Sequence, residues 1–226
     1  MKKLVKNKKL SSKDESVICL NCGECCKRYW ITVLNEESKK ISKKLKISEK
    51  EFLEKNCEIH VKIYPKSVKG ILTYPSTFFP KNIYDQIKKE IGIVSDSYFI
   101  IPQVVLKRDI VEIDGKKICT FLNEDNTCRV YSVRPEPCRL FPFIAVEGIR
   151  EQYPFCELYK KTYKNLSKQS SVYFKKVKNY FKKVNDKGFV KVWKNSPKKG
   201  SLYVADKYVC QITLSELNLM LMDQKE

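Results

Sequence analysis

Glycine and histidine are scarce in this chain, with seven of the first and one of the second in 226 residues. None of the glycines forms a GxGxxG or Walker A loop, so dinucleotide or P-loop nucleotide binding has no local support. The single histidine, His60, gives a Ser-His-Asp hydrolase only one residue to build on, in surroundings that suggest no triad. No paired-carboxylate arrangement stands out either. The start, "MKKLVKNKKLSSKDES", lacks the apolar core of a signal peptide, and no later stretch approaches the ~18 apolar residues of a membrane span. These absences point to a soluble, cytoplasmic protein with no membrane partner.

Arginine is scarce as well, six residues against 39 lysines, although the formal net charge is +19. That charge is unevenly placed. Residues 1–15 carry a net +4 and residues 160–199 a net +13, which leaves the rest of the chain close to neutral. The basicity therefore belongs to an N-terminal tail and one C-terminal segment.

What the chain has in quantity is cysteine, ten residues. At this length a core of ordinary size is available, so disulfides are not needed for folding. In a reducing compartment clustered cysteines are more often metal ligands or catalytic thiols than disulfides. "CLNCGECC" places Cys19, Cys22, Cys25 and Cys26 within eight residues. Cysteines two residues apart can aim their sulfurs at one centre when the backbone turns tightly, and Gly23 permits that turn. Three in series open the ferredoxin-type ligand run, whereas four-thiolate zinc is the commonest structural use of such pairs. Neighbouring side chains diverge, so Cys25 and Cys26 more naturally serve two centres.

About a hundred residues on, "CTFLNEDNTCRVYSVRPEPCRLFPF" adds Cys119, Cys128 and Cys138, and "YPFC" adds Cys156. Eight thiolates suffice for two four-sulfur sites, holding an iron-sulfur cluster or zinc; the spacing leans towards iron-sulfur. The N-terminal cluster is expected to fold back onto the second segment, with metal fastening the two. Pro135 and Pro137 stiffen the loop that presents Cys138. Arg129, Arg134 and Arg139 crowd the same loop. Where lysine is the default cation, arginine suggests planar, multi-donor contacts, here to the charge and sulfurs of a bound metal cofactor. The alternative is that they cap carbonyls and pair with acids.

These two motifs together resemble the YkgJ-type CxxCxxCC cysteine-cluster family, described as a zinc- or iron-chelating domain and related to flagellin lysine-N-methylases. The resemblance runs from about Cys19 to Cys156. It implies ligand roles for Cys19, Cys22, Cys25, Cys26, Cys119, Cys128 and Cys138, with Cys156 as the eighth sulfur. Through that kinship it also implies a second function, N-methylation of lysines on a partner protein, although no S-adenosylmethionine site is recognisable.

The expected fold class is α+β: a small, irregular cysteine-cluster domain with a helical insertion, short strands and metal-stapled loops. Its parts are the basic tail 1–15, the cluster domain 16–159 with the insertion at about 35–95, and a Lys-rich extension 160–226 packed on the same domain. "YWITVL" reads as a strand, "NEESKKISKKLK" as a helix capped by Asn35, and "SEKEF" as a second helix with a Ser48–Glu51 capping box, ending near Asn56. Breakers from Pro65 to Pro80 imply a loop. Ile83, Ile87 and Ile91 share one helical face, with Gly92 as its stop. "SYFIIPQVVLK" and "IVEIDGKKICTFL" are strand-like, with a tight turn at Asp114-Gly115.

Further on, Tyr173, Val177, Tyr180, Phe181 and Val184 form one face of a helix whose other side is lysine. "FVKVW" and "SLYVADKYVCQITL" look like strands, and "SELNLMLMDQ" like a closing helix. Cys57 and His60, at CxxH spacing, are read as structural residues, and Cys210 as a core side chain. The Lys-rich segment could bind nucleic acid, but a helix docked by its aromatic face with a solvated lysine surface is the favoured reading.

Overall fold

The computed structural model describes residues 22–64, 73–75, 79–91, 97–110, 117–141, 166–204 and 207–222. Its elements in chain order are α1 (Glu24–Arg28), α2 (Asn35–Leu45), α3 (Glu49–Asn56), β1 (Cys57–Tyr64), β2 (Thr73–Pro75), α4 (Lys81–Ile91), β3 (Ser97–Leu106), β4 (Arg108–Ile110) and β5 (Lys117–Cys119). They continue with α5 (Glu136–Leu140), α6 (Leu166–Lys187), α7 (Phe189–Val192), β6 (Lys199–Val204), β7 (Lys207–Thr213) and α8 (Leu214–Met222). The fold is α+β. Among the described residues no helix is long and apolar enough to cross a membrane.

β1 is the centre of a five-stranded sheet ordered β2-β3-β1-β6-β7, antiparallel to β3 and parallel to β6. Its alternation decides the sheet's two faces. Cys57, Ile59, Val61 and Ile63 are fully buried on one face, opposite Leu106, Val104, Pro102 and Ile100 of β3. Glu58, His60 and Lys62 lie on the other. Cys57 and His60 therefore point to opposite faces, and the CxxH pair cannot share an ion. His60 is buried between the rings of Trp30 and Tyr203, and its Nε2–H donates to Glu58 at 2.8 Å. Gly200 of β6 passes so close to β1 that a Cβ there would stand 2.7 Å from the Ile59 carbonyl.

The helices follow their sequence signals closely. Ser48 caps α3 by accepting from Glu51 N–H at 3.1 Å. α4 buries Ile83 and Ile87, and α6 buries Tyr173, Tyr180 and Val184, as their 3.6-residue spacing predicts. Gly92 and the Asp114-Gly115 turn lie outside the described residues, although β4 and β5 pair antiparallel across that turn.

Several elements differ from expectation. Asn35 is the first residue of α2, not its cap; Leu34 takes the cap position because Glu37 reaches back to its N–H, and Asn35 instead donates to the Val192 carbonyl at 3.0 Å. Residues 29–34 run along β3 with a single bridge, Thr32 to Val105, rather than as a strand. The breaker-rich stretch before Pro80 contains the short edge strand β2, with Pro75 at its end, where the missing N–H is tolerated. "FVKV" is helical, since Gly188 at φ 83° restarts a turn that buries Phe189. The interval 35–95 supplies β1 and β2 as well as helices, so the central strand lies within what reads as a helical insertion. Cys210 is half-buried on edge strand β7.

The C-terminal segment is built into the same sheet through β6 and β7, and α6 is pinned across it. Tyr180 Oη donates to the Pro102 carbonyl and accepts from Trp193 Nε1–H, both at 3.0 Å and both buried. Tyr180→Phe leaves that carbonyl and that indole N–H without partners. It should cost ~1–3 kcal/mol of stability, read as a lower urea midpoint at unchanged slope.

Candidate metal centre

The tight turn of the first motif exists, and it faces the second. Gly23 adopts φ 74° ahead of α1, a left-handed conformation that favours glycine. It also lies against Asn126 of the 119–128 loop, where a Cβ would stand 2.6 Å from Asn126 Oδ1. Arg108, at the start of β4, clamps the two segments by donating Nη2 to the carbonyls of Lys27 and Lys117. The Tyr29 and Phe141 rings meet at 5.6 Å. Cys119 ends β5, whose position relative to the main sheet is set through Lys107: its N–H donates to Asn56 and its carbonyl accepts from Thr120.

Cys138 is presented by α5. Pro135 and Pro137 flank Glu136, whose N–H donates to Glu37 Oε1 at 2.6 Å, while Glu37 Oε2 accepts from Leu34 N–H at 2.7 Å. Lys176 of α6 donates to the Glu136 carboxylate. One buried carboxylate thus fixes α2 and the Cys138 helix together. Burial pushes its pKa up, against the pull of the Glu136 and Leu34 N–H groups.

Four thiols come together here: Cys26, Cys119, Cys128 and Cys138. Cys138 is raised well above the usual thiol range by burial first, then by Cys119, Cys26 and Cys128. Cys119 is pushed up to about 12 by burial, with Cys26 and Cys128 adding to it. Cys26 is raised by its contact with Cys25, whose Sγ lies 4.0 Å away, and then by burial. Two guanidiniums oppose these shifts: Arg134 at Cys26 and Cys138, and Arg108 at Cys26 and Cys119. Arg134 stacks on Tyr131 at 4.0 Å, and Arg108 lies over Trp30 at 5.3 Å. Arg108 Nε is buried without a hydrogen-bond partner, the sort of donor that a thiolate would satisfy.

The other expected ligands are placed differently. Cys22 is exposed and Cys25 half-buried, while Cys19 and Cys156 lie outside the described residues. All eight described cysteines are free thiols. Arg129 donates to the Thr120 carbonyl and lies over Phe121, and Arg139 is exposed. Among the described residues no three His, Cys, Asp or Glu side chains are arranged to hold an ion. The four thiols lie within electrostatic reach of one another and have the donor chemistry of metal ligands.

Sequence reading missed three contributors. Arg108 could have been found as another of the few arginines, and Asn126 as a turn residue beside Cys128. Glu37 could have been found by its place at helical spacing on the face shared by Leu34, Ile41 and Leu45, although an acid in a first helical turn is ordinarily exposed.

A family model described as "CxxCxxCC: Putative zinc- or iron-chelating domain" matches residues 18–157. No curated protein and no solved structure matches the chain.

Glu37→Gln turns an amide NH2 towards one of the two N–H groups that the carboxylate now satisfies. It should cost ~1–3 kcal/mol in urea unfolding and loosen retention of metal against a chelator. In metal-free protein the thiols of Cys57 and Cys119 titrate above the ordinary 9.0 because they are buried. Groups raised in the folded state bind protons that the unfolded chain releases, so their stabilisation is complete below pH 9 and lost as pH rises towards 12. The urea midpoint should therefore fall between pH 8 and 10.5, less steeply in Cys57→Ala.

Proposed function

The chain belongs to the CxxCxxCC family of zinc- or iron-chelating domains, and on that premise we propose that Cys26, Cys119, Cys128 and Cys138 form a thiolate metal centre, with an iron-sulfur cluster as its leading occupant. Metal binding follows from the family. The observation that carries the ligand set is the packing of the first motif on the second, with Gly23 against Asn126 and Arg108 bridging the carbonyls of Lys27 and Lys117, which leaves Cys26 within electrostatic reach of Cys119 and Cys138.

The donor chemistry suits the group. Four thiolates around zinc leave a formal charge of about −2, from ligand charges alone. The guanidiniums of Arg108 and Arg134 offset such a charge. Bound there, zinc would staple the two motifs, and an iron-sulfur cluster would add one-electron redox chemistry. The protein's own share is to hold Cys138 through Glu37 and to hold Cys119, the most buried residue of the four, through β5. The lean towards iron comes from the ferredoxin-type run Cys19, Cys22 and Cys25, whose last sulfur lies 4.0 Å from Cys26 Sγ and so stands beside this centre rather than apart from it.

Elemental analysis and an absorption spectrum of anoxically purified protein test this directly. Iron and acid-labile sulfide with broad absorption near ~400 nm are expected, and the Cys138→Ser variant should lose at least half of the metal. Stoichiometric zinc without colour would replace the cluster by a structural site. Metal-free protein with every thiol rapidly alkylated would overturn the centre altogether.

A further inference from the structure

A cluster of positive charge on the described surface is remote in role from the thiols. α6 packs its aromatic face inward, and a groove of about 440 Å³ opens where it meets the start of α2 and the end of α7. Lys176, Lys183 and Lys187 of α6 line one side, and Lys39 of α2 and Lys191 of α7 also line it; Glu36 is the one carboxylate in its wall. Lys176 pairs with Glu136. Among the described residues no carboxylate pairs with Lys39, Lys183, Lys187 or Lys191. Like charges this close repel one another, and a protein holds them so at some cost unless something anionic offsets them.

We infer that this groove binds the sugar-phosphate backbone of a single-stranded nucleic acid, independently of base sequence. At 1.5 Å rise per residue, Lys176 to Lys187 spans ~16 Å, enough for several consecutive phosphates of a single strand. The groove uses lysine alone, the point-charge partner of phosphate. The forked guanidiniums that recognise carboxylates in pairs are absent from its wall, whereas five of the chain's six arginines lie elsewhere among the described residues. Its concavity suits a strand and not a flat bilayer. The ring in its wall, Tyr180, is buried with its hydroxyl committed to Pro102 and Trp193, so no aromatic face is offered for stacking on bases. Binding is then by charge only. This inference does not depend on which metal the thiols hold.

The test uses the full, metal-loaded chain and fluorescently labelled 20-nucleotide single strands of three unrelated sequences, titrated from 50 to 200 mM salt. All three should bind alike, with a slope of log affinity against log salt of about −3, for roughly four phosphates neutralised. Lys183→Gln/Lys187→Gln/Lys191→Gln should weaken binding at least tenfold at 50 mM salt and flatten the slope by about 2. The equally charged Lys175→Gln/Lys178→Gln/Lys182→Gln, on the exposed side of α6, should change it less than threefold. Equal losses in the two triple variants would reduce the effect to the chain's overall charge and overturn the groove. Absence of binding at 50 mM salt, or equally tight binding of poly-glutamate or of phosphatidylserine vesicles, would overturn it as well.

Discussion

The buried carboxylate of Glu37 is the constraint on which the arrangement around the thiols depends. It accepts one backbone N–H from the start of its own helix and one from the start of the helix that carries Cys138. A carboxylate removed from water is costly unless such donors replace its hydration, and here burial still wins enough to raise its pKa. Because both donors are main-chain groups, the link fixes backbone against backbone and not merely one side chain against another. Lys176 extends it to α6 through Glu136, so α2, α5 and α6 are tied at one point. That point lies beside the thiols on one side and at the edge of the lysine groove on the other.

The thiols and guanidiniums form a second level of organisation with opposite electrostatic demands. Burial favours neutral thiols, whereas metal ligation requires thiolates. Arg108 and Arg134 reduce that conflict by placing fixed positive charge where negative charge would develop. Arg108 does more than this. Its guanidinium also donates to the carbonyls of Lys27 and Lys117, so the group that stabilises a thiolate also holds the two cysteine motifs in contact.

How much of this was legible depends on how local each signal is. The helices α3, α4 and α6 declare themselves through caps and 3.6-residue periodicity, both properties of a few neighbouring residues. β1 does not, although it is the central strand. "CEIHVKIY" follows a helix directly, and its polar residues sit on a face that is covered only because Trp30 and Tyr203 sandwich His60. "FVKVW" has the composition of a strand, yet the turn at Gly188 and the space for Phe189 in the core make it helical. Propensity yields to packing in segments this short.

The sequence by itself determined the chemistry: cysteine in a paired-motif pattern, three of the six arginines within the second motif, and lysine concentrated at one end. Residue type and spacing suffice for that, since donor atoms and charge travel with the side chain. Only the tertiary structure decided which groups meet. It placed Cys26 with Cys119, Cys128 and Cys138, put Cys57 and His60 on opposite faces of β1, and moved Arg129 to a carbonyl while bringing in Arg108. Above all it made the carboxylate of Glu37, on the same face of α2 as Ile41, a buried tie. Such contacts join residues about a hundred positions apart, and no local pattern encodes a partner at that distance.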